Sequence, residues 1–339
     1  MWTVGLDVHQ NATSVCILDE GGNRVKRFVH RGHPRGLVEV LAGLGERFRV
    51  GFEASCGSGT LRDLLAPIAE RVVVCHPGQL RLIFRSRRKN DRVDAEKIAK
   101  VLFLDEAPAV HVPSVDVRAW RELIVTREGA VARRTMAKNG LRALLRSHLI
   151  KAPRGLWTKR GVAWLGDLEL PTAAARARRD VLLADLAHAS AQVRVLEREL
   201  DRIGRAHPGV ALLRTIPGVG ARTAEAVCAF VDDPRRFGAK AIGSYFGLVP
   251  RQDQSGAVNR LGRITREGPA VVRRLLTEAA WRATRCSTRV KAVHERVRRG
   301  DPERGKIALI ACAHYLARVM VAMLRTGEAW REEEVALAA

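Results

Sequence analysis

The chain has 339 residues, 47% of them apolar, and 59 lysines and arginines against 36 acidic residues give it a formal net charge of +23. This length indicates two domains or more, and the apolar content excludes a disordered chain. The excess of positive charge favours a polyanionic partner, of which nucleic acid is the simplest. A membrane surface is the competing polyanion, but we find no basic amphipathic N-terminal helix and no lipidation signal. We therefore expect a cytoplasmic protein with no membrane partner.

Residues 1–112 alternate between strand and helix patterns. Strands are predicted over 3–9, 14–19, 24–30, 50–54 and 72–75, and helices over 34–48, over 59–70 and beyond residue 77. Three consecutive strands followed by β-α units indicate a mixed sheet covered by helices, which is an α/β architecture.

Residues 113–206 have the pattern of a basic helical arm. Long helices are predicted over 115–150 and 173–203, both typical of a coiled coil or a helical bundle. Between residues 116 and 179, 15 lysines and arginines stand against 5 acidic residues. This imbalance favours contact with nucleic acid, although a solvated helical face accounts for it equally well.

Residues 207–339 predict a compact, mainly α-helical domain. Its most apolar stretch, 307–324, is interrupted by His314 and Arg318 at helical spacing, which favours a buried helix over a membrane span. The six cysteines are far apart and favour reduced thiols over disulfides or a zinc site. The acidic run at 332–334 is typical of a frayed tail.

Within this domain, residues 214–224 resemble a helix-hairpin-helix element. In such an element a glycine-containing turn directs the backbone N–H groups at a helix start toward a phosphate. Gly218, Gly220 and Arg222 are the candidate nucleic-acid-binding residues here. An ordinary connection between two helices is an equally good interpretation.

Four acids are candidates for one site. Asp7 and Glu53 each end an apolar strand pattern, where an unpaired carboxylate would be costly to bury. Asp91 and Asp94 are three residues apart, so they share one face of a helix. Carboxylates this close repel each other unless a cation neutralises them, and Mg²⁺ prefers oxygen ligands. Two such ions can activate the attacking oxygen and stabilise the leaving oxygen in phosphodiester displacement.

Each acid also has a purely structural interpretation. Asp91 is well placed as a helix cap, with Asp94 in the first turn near the positive end of the helix dipole. Asp7 and Glu53 are compatible with ordinary strand ends. The four acids therefore indicate catalysis by occurring together, in this order, on a basic chain.

Ser255 precedes a glycine in a predicted loop that is rich in arginine. Arg251, Arg260, Arg263 and Arg266 are candidates to hold a scissile phosphate and offset its charge. A serine there could attack phosphorus, but its hydroxyl needs activation and no histidine is near in sequence. From spacing alone, Ser255 is better interpreted as a turn residue.

Taken together, these motifs resemble the insertion sequence 110 family of transposases. The resemblance rests on Gly-Leu-Asp-Val-His at 5–9, Phe-Glu-Ala-Ser at 52–55, Asp-Arg-Val-Asp-Ala at 91–95, Ile-Pro-Gly-Val-Gly at 216–220, Gly-Leu-Val-Pro at 247–250, Gln-Ser-Gly at 254–256 and Gly-Arg-Ile-Thr at 262–265. It covers essentially the whole chain.

The resemblance implies three parts: a RuvC-like domain of ribonuclease H-type fold at 1–112, a coiled-coil arm at 113–206 and a transposase domain at 207–339. Asp7, Glu53, Asp91 and Asp94 would bind Mg²⁺, and Ser255 would form a transient phosphoserine link to DNA. The partners would be DNA at the element ends and target and a structured non-coding guide RNA. The assembly would be a homodimer or homotetramer in which one protomer's acids meet another's serine.

Two alternatives stay open at this point. One is a metal-dependent junction-resolving nuclease that uses the four acids without a covalent serine step. The other is a non-catalytic scaffold that binds nucleic acid through its positive charge alone.

Overall fold

The structure is a computed structural model that describes residues 1–83, 91–238, 240–255 and 258–332, with the backbone alone at 91–92 and 258–259. The chain divides into two compact units, residues 1–115 and 116–339. Each unit has its own hydrophobic core.

The first unit is a mixed five-stranded sheet with helices on both faces, which confirms the predicted α/β class. Its strands are β1 (Trp2–Val8), β2 (Ala12–Leu18), β3 (Arg24–Arg31), β4 (Phe48–Glu53) and β5 (Arg71–Cys75). Its helices are α1 (Pro34–Ala42), α2 (Ser58–Leu65), α3 (Pro77–Ile83) and α4 (Asp91–Phe103).

The strand order in this sheet is β3-β2-β1-β4-β5. The pairs β1–β2 and β2–β3 are antiparallel, whereas β4 runs parallel to both β1 and β5. One face carries α1 and α2, whose leucines pack on apolar side chains of β1 and β4. The other face carries α4, which packs on β1, β2 and β4. Both faces of the central strands are therefore buried, as their apolar sequences require.

The second unit is mainly helical, as predicted. Its helices are α5 (Val115–Ser147), α6 (Lys159–Asp167), α7 (Ala173–Ala206), α8 (Pro208–Leu213), α9 (Ala221–Val231), α10 (Ala241–Tyr245), α11 (Ala270–Cys286), α12 (Thr288–Arg298) and α13 (Gly305–Thr326). Two strands, β6 (Pro250–Ser255) and β7 (Val258–Ile264), form a separate antiparallel hairpin.

The long helices α5 and α7 pack against each other in antiparallel directions. The guanidinium of Arg127 on α5 bonds Glu197 on α7, and a Cβ at Gly140 would lie 2.8 Å from Leu182. Apolar residues of α6 complete this part of the core. A supercoil between these helices stays a prediction.

Helix α13 lies in the core of the second unit. Among the described residues, the helical segment 302–326 alone is long and apolar enough to cross a membrane by length and composition. Cys312, Leu316 and Met320 on α13 are fully buried among other helices of the unit. This helix therefore belongs to the protein core, as the sequence indicated.

Three local predictions were wrong. The helix predicted over 34–48 ends at Ala42, because Gly43 caps it and Gly45 turns the chain at a φ of 71°. The loop predicted around Ser255 is the β6–β7 hairpin. The predicted frayed tail covers 332–334, of which 333 and 334 lie outside the described residues. Glu332 is not frayed: its carboxylate accepts hydrogen bonds at the start of α12 from Ser287, Thr288 and the Arg289 backbone. Burial acts to raise the pKa of Glu332, but these hydrogen bonds outweigh it and lower the pKa to about 2.

Candidate functional site

Asp7 and Glu53 lie on neighbouring parallel strands at the same edge of the sheet. Leu6 of β1 pairs with Phe52 of β4, so Asp7 and Glu53 follow in the next register position. Adjacent strands are about 4.8 Å apart, which places the two carboxylates side by side. The register therefore brings together two acids that are 46 positions apart in the sequence.

Both side chains face the helix α4. A Cβ at Gly5 would lie 2.1 Å from the Ala95 carbonyl oxygen, so Gly5 faces this helix, and Asp7 shares its face because side chains alternate along a strand. Gly51 faces Ile98 of α4 in the same way, which puts Glu53 on that face too.

Helix α4 runs antiparallel to β1 and β4. The carbonyl of Phe103, its last residue, accepts a hydrogen bond from Arg49 near the start of β4. Its first turn, with Asp91 and Asp94, therefore lies toward the strand ends that carry Asp7 and Glu53. The side chain of Asp91 is outside the described residues.

Basic side chains lie against two of these acids. Lys97 Nζ lies 2.9 Å from Asp94, and His9 Nε2 lies 3.3 Å from Asp7. In the described part of the chain, no three His, Cys, Asp or Glu side chains are grouped closely enough to hold a metal ion. The structure thus unites Asp7 with Glu53 and turns Asp94 toward Lys97. The catalytic and metal-binding roles of all four acids stay predictions.

Glu53 also influences the pKa of a cysteine on the neighbouring strand. It pairs in register with Cys75 of β5. Burial, with a smaller contribution from the charge of Glu53, raises the pKa of the Cys75 thiol to about 11. Cys75 is therefore a neutral core residue beside the acids.

Ser255 is the last residue of β6, next to the tip of an exposed hairpin. Every residue of β6 is exposed, and Ser255 pairs in register with Val258. At the base of the hairpin, a Cβ at Gly268 would lie 1.9 Å from the Tyr245 carbonyl oxygen, and Gly268 has a φ of 66°. A glycine at 268 thus lets the hairpin base pack directly on the helical body. No local sequence pattern predicts this role of Gly268.

The hairpin and the segment after it present four exposed arginines. No ion pair to a carboxylate is present for any of them within the described residues. They are Arg251, Arg260, Arg263 and Arg266. The serine and these cations therefore all lie on the exposed hairpin or in the exposed segment that follows it, and their role in holding a phosphate stays a prediction.

The glycine-containing turn before α9 opens into a groove of about 420 Å³ lined by Gly218, Gly220, Arg127 and Arg282. Gly218 has a φ of 89°, and a Cβ there would lie 2.6 Å from the Ala283 backbone nitrogen. No side chain caps the start of α9 at Gly220. The groove therefore combines uncapped backbone N–H groups at the start of α9 with the exposed Arg282, and it also contains the carboxylate of Glu278.

Arg222 does not face this groove as a free cation. Its guanidinium pairs with Asp201 and lies 3.1 Å from the buried Glu225. Burial raises the pKa of Glu225 to about 7, with a smaller contribution from Asp201 and against the attraction of Arg222. Arg222 thus joins α9 to α7, whereas the exposed Arg282 of α11 is better placed to meet a ligand.

Comparison with known proteins shows similarity to transposases in two regions of the chain. A family model described as the IS116/IS110/IS902 family of transposases matches residues 210–295, and a second transposase model matches residues 4–150. The chain is therefore similar to this transposase family in both of these regions. It is 27% identical to the transposase of insertion sequence element IS1328 from Yersinia enterocolitica over 283 residues, which are 82% of each chain. It is also 27% identical to the transposase of insertion sequence element IS1111A from Coxiella burnetii over 299 residues, 82% of this chain and 76% of that protein.

These matches support an insertion-sequence transposase, which is a class of enzyme that cuts and rejoins DNA. The candidate acids and the candidate serine lie in different matched regions. Asp7, Glu53, Asp91 and Asp94 lie in the first region, and Ser255 lies in the second.

Proposed function

We propose that this transposase cuts DNA with Mg²⁺ held by Asp7, Glu53, Asp91 and Asp94, and that Ser255 is its nucleophile. The observation that carries the proposal is the register of β1 and β4, which sets Asp7 beside Glu53 on the face that α4 covers. The order β3-β2-β1-β4-β5 further supports a ribonuclease H-type fold for this unit.

The donor chemistry of these residues fits Mg²⁺. All four side chains offer carboxylate oxygens, which are the ligands that this hard cation prefers. The contacts of Asp94 with Lys97 and of Asp7 with the His9 ring support the proposal that a cation can be held against these carboxylates. When bound, the ion would polarise the phosphate and lower the pKa of the attacking hydroxyl.

Ser255 would make the covalent step. Its Oγ forms a bond to phosphorus, the bond to the leaving oxygen breaks with its electron pair, and the hydroxyl proton passes to a carboxylate. The leaving oxygen then takes a proton from the solvent. Arg251 and Arg260, on paired strands of the same exposed hairpin, hold the non-bridging oxygens and offset their growing charge.

The proposed partners are DNA, a structured non-coding guide RNA and further copies of the chain. The net charge of +23 supports a nucleic-acid partner, and the basic arm and the groove at α9 supply surfaces for phosphates. The exposed hairpin supports a homodimer or homotetramer in which Ser255 of one protomer meets the acids of another.

A cleavage assay tests the role of the acids. Purified protein with co-purified RNA is incubated with element-end DNA and Mg²⁺, and Asp7→Asn and Glu53→Gln are compared with Glu39→Gln, an exposed acid on α1. We expect both site variants to lose at least 100-fold in rate, since each removes a metal ligand, and Glu39→Gln to match the wild type. Wild-type rates in the two site variants would contradict the proposal.

A further inference from the structure

The edge strand β3 leaves one face bare. Helix α4 packs on β1, β2 and β4, and Val29 of β3, which pairs with Ser14 on that side of the sheet, is 37% exposed. Arg27 and Arg31 flank Val29 on the same face. Arginines commonly protect a sheet edge from pairing with another chain, and here they also make the face around the exposed Val29 cationic.

The sheet register places this face beside Asp7. Asp7 pairs with Ser14 of β2, and Ser14 pairs with Val29 of β3, so the three residues form one row on the α4 face. Arg31 lies in the next row, opposite Ala12. Arg31 lies two strands away from Asp7 and two residues further along the strand direction, so their Cα atoms are roughly 12 Å apart. The long side chain of Arg31 can bring its guanidinium closer to Asp7.

The cations on this face are available to a ligand. No partner carboxylate lies against Arg31 in the part of the chain that the structure describes, and its side chain is exposed. Arg27 reaches Glu96 only at 3.7 Å, and that carboxylate is already bonded by Arg24 and Lys100 at 3.1 and 2.9 Å.

We propose that Arg27, Val29 and Arg31 form a track for a single DNA strand whose scissile phosphate lies at Asp7 and Glu53. The arginines contact backbone phosphates on one side of the scissile one, and Val29 contacts a deoxyribose or base between them. The two arginines are four residues apart, about 13 Å along the strand, so they meet phosphates separated by more than one nucleotide. This assignment rests on the proposed cleavage at the acids.

Photo-cross-linking tests the track without any chemistry at the acids. The full chain carries p-benzoylphenylalanine at Val29 or at Lys26, which lies on the opposite face of β3 over the Phe28 ring. Each protein is irradiated with a labelled single-stranded oligonucleotide in EDTA. We expect a strong cross-link from position 29 and at least fivefold less from position 26. Equal cross-linking from both positions overturns the track.

Binding of the same oligonucleotide by fluorescence anisotropy gives a second test. We expect Arg31→Ala to weaken binding about threefold to tenfold and to reduce the slope of log K against log salt by about 0.7, the value for one phosphate on a single strand. Lys26→Ala should bind as the wild type does. Arg31→Ala binding like Lys26→Ala overturns the track even where the wild type cleaves DNA. Failure of the wild type to cleave, with the position-29 cross-link intact, overturns only the proposed cleavage.

Discussion

Gly5 allows α4 to lie directly on β1, and the Gly5→Ala substitution should therefore move the helix that carries Asp91 and Asp94. A Cβ at this position would lie 2.1 Å from the Ala95 carbonyl oxygen and 2.5 Å from the Ala99 nitrogen. Both are backbone atoms, so no side-chain rotation relieves the overlap. The helix must lift from the sheet by about 1 Å to restore ordinary packing distances.

This displacement should cost both stability and rate. Overpacking of a core typically destabilises a protein by about 1–3 kcal/mol. A misplacement of about 1 Å between reacting groups can cost on the order of 100-fold in rate. We therefore expect Gly5→Ala to unfold at lower urea concentration and to cleave element-end DNA about 100-fold more slowly than the wild type.

Gly43→Ala is the matched control in the same unit. Gly43 has a φ of −78°, and a Cβ there meets its nearest atoms at 3.6 Å, which is ordinary contact. Urea unfolding and the cleavage rate are measured for both variants. Gly5→Ala behaving like Gly43→Ala in both assays would refute the reasoning.

Three further predictions concern ionisable groups. Burial raises the pKa of Glu225 in the folded protein to about 7, so the free energy of unfolding falls as pH rises from 4.5 to 7. Glu225→Gln should remove this pH dependence and raise the free energy of unfolding at pH 8 by on the order of 3 kcal/mol, as measured by urea unfolding. The lowered pKa of Glu332 stabilises the folded protein above pH 4.5, and this stabilisation is lost as pH falls toward 2. Glu332→Gln should therefore lower Tm at pH 6 and have the same Tm as the wild type near pH 2. Equal Tm values at pH 6 would contradict a stabilising contact between Glu332 and the start of α12. Of the six free thiols, only the exposed Cys56 and Cys286 should react with Ellman's reagent before unfolding, because burial raises the pKa of the others, Cys228 to about 12.

The sequence predicted the central sheet well because its strands are buried on both faces. Apolar runs separated by turn residues marked β1, β2, β4 and β5 to within a few residues. The hairpin β6–β7 was missed because β6 is polar and exposed and the apolar residues of β7, at 258, 261 and 264, are three apart. Neither strand therefore shows the alternation of apolar and polar residues that predicts a strand. Helix α6 was missed too, since it follows a loop between two much longer helical patterns.

At the site, the sequence indicated which acids could act but not what holds them. The position of Asp7 next to Glu53 depends on the register between β1 and β4, which cannot be predicted from a local sequence pattern. A glycine inside a strand, together with small residues one helical turn apart at Ala95 and Ala99, could have indicated the close approach of α4. Arg222 was predicted to contact nucleic acid, a role that stays a prediction, but the structure engages it with Asp201. Asp201 lies on a different helix from Arg222, so this contact could not be predicted from the local sequence.

The most direct measurement is a search for a DNA adduct on Ser255. Purified protein, co-purified RNA, Mg²⁺ and element-end DNA are incubated, and the quenched protein is digested and mapped by mass spectrometry. The account predicts a nucleotide joined through phosphate to the peptide that contains Ser255, absent in Ser255→Ala and in Asp7→Asn. DNA cleavage at the wild-type rate by Ser255→Ala, with no adduct on the wild-type peptide, would contradict it and favour a nuclease that uses the acids alone.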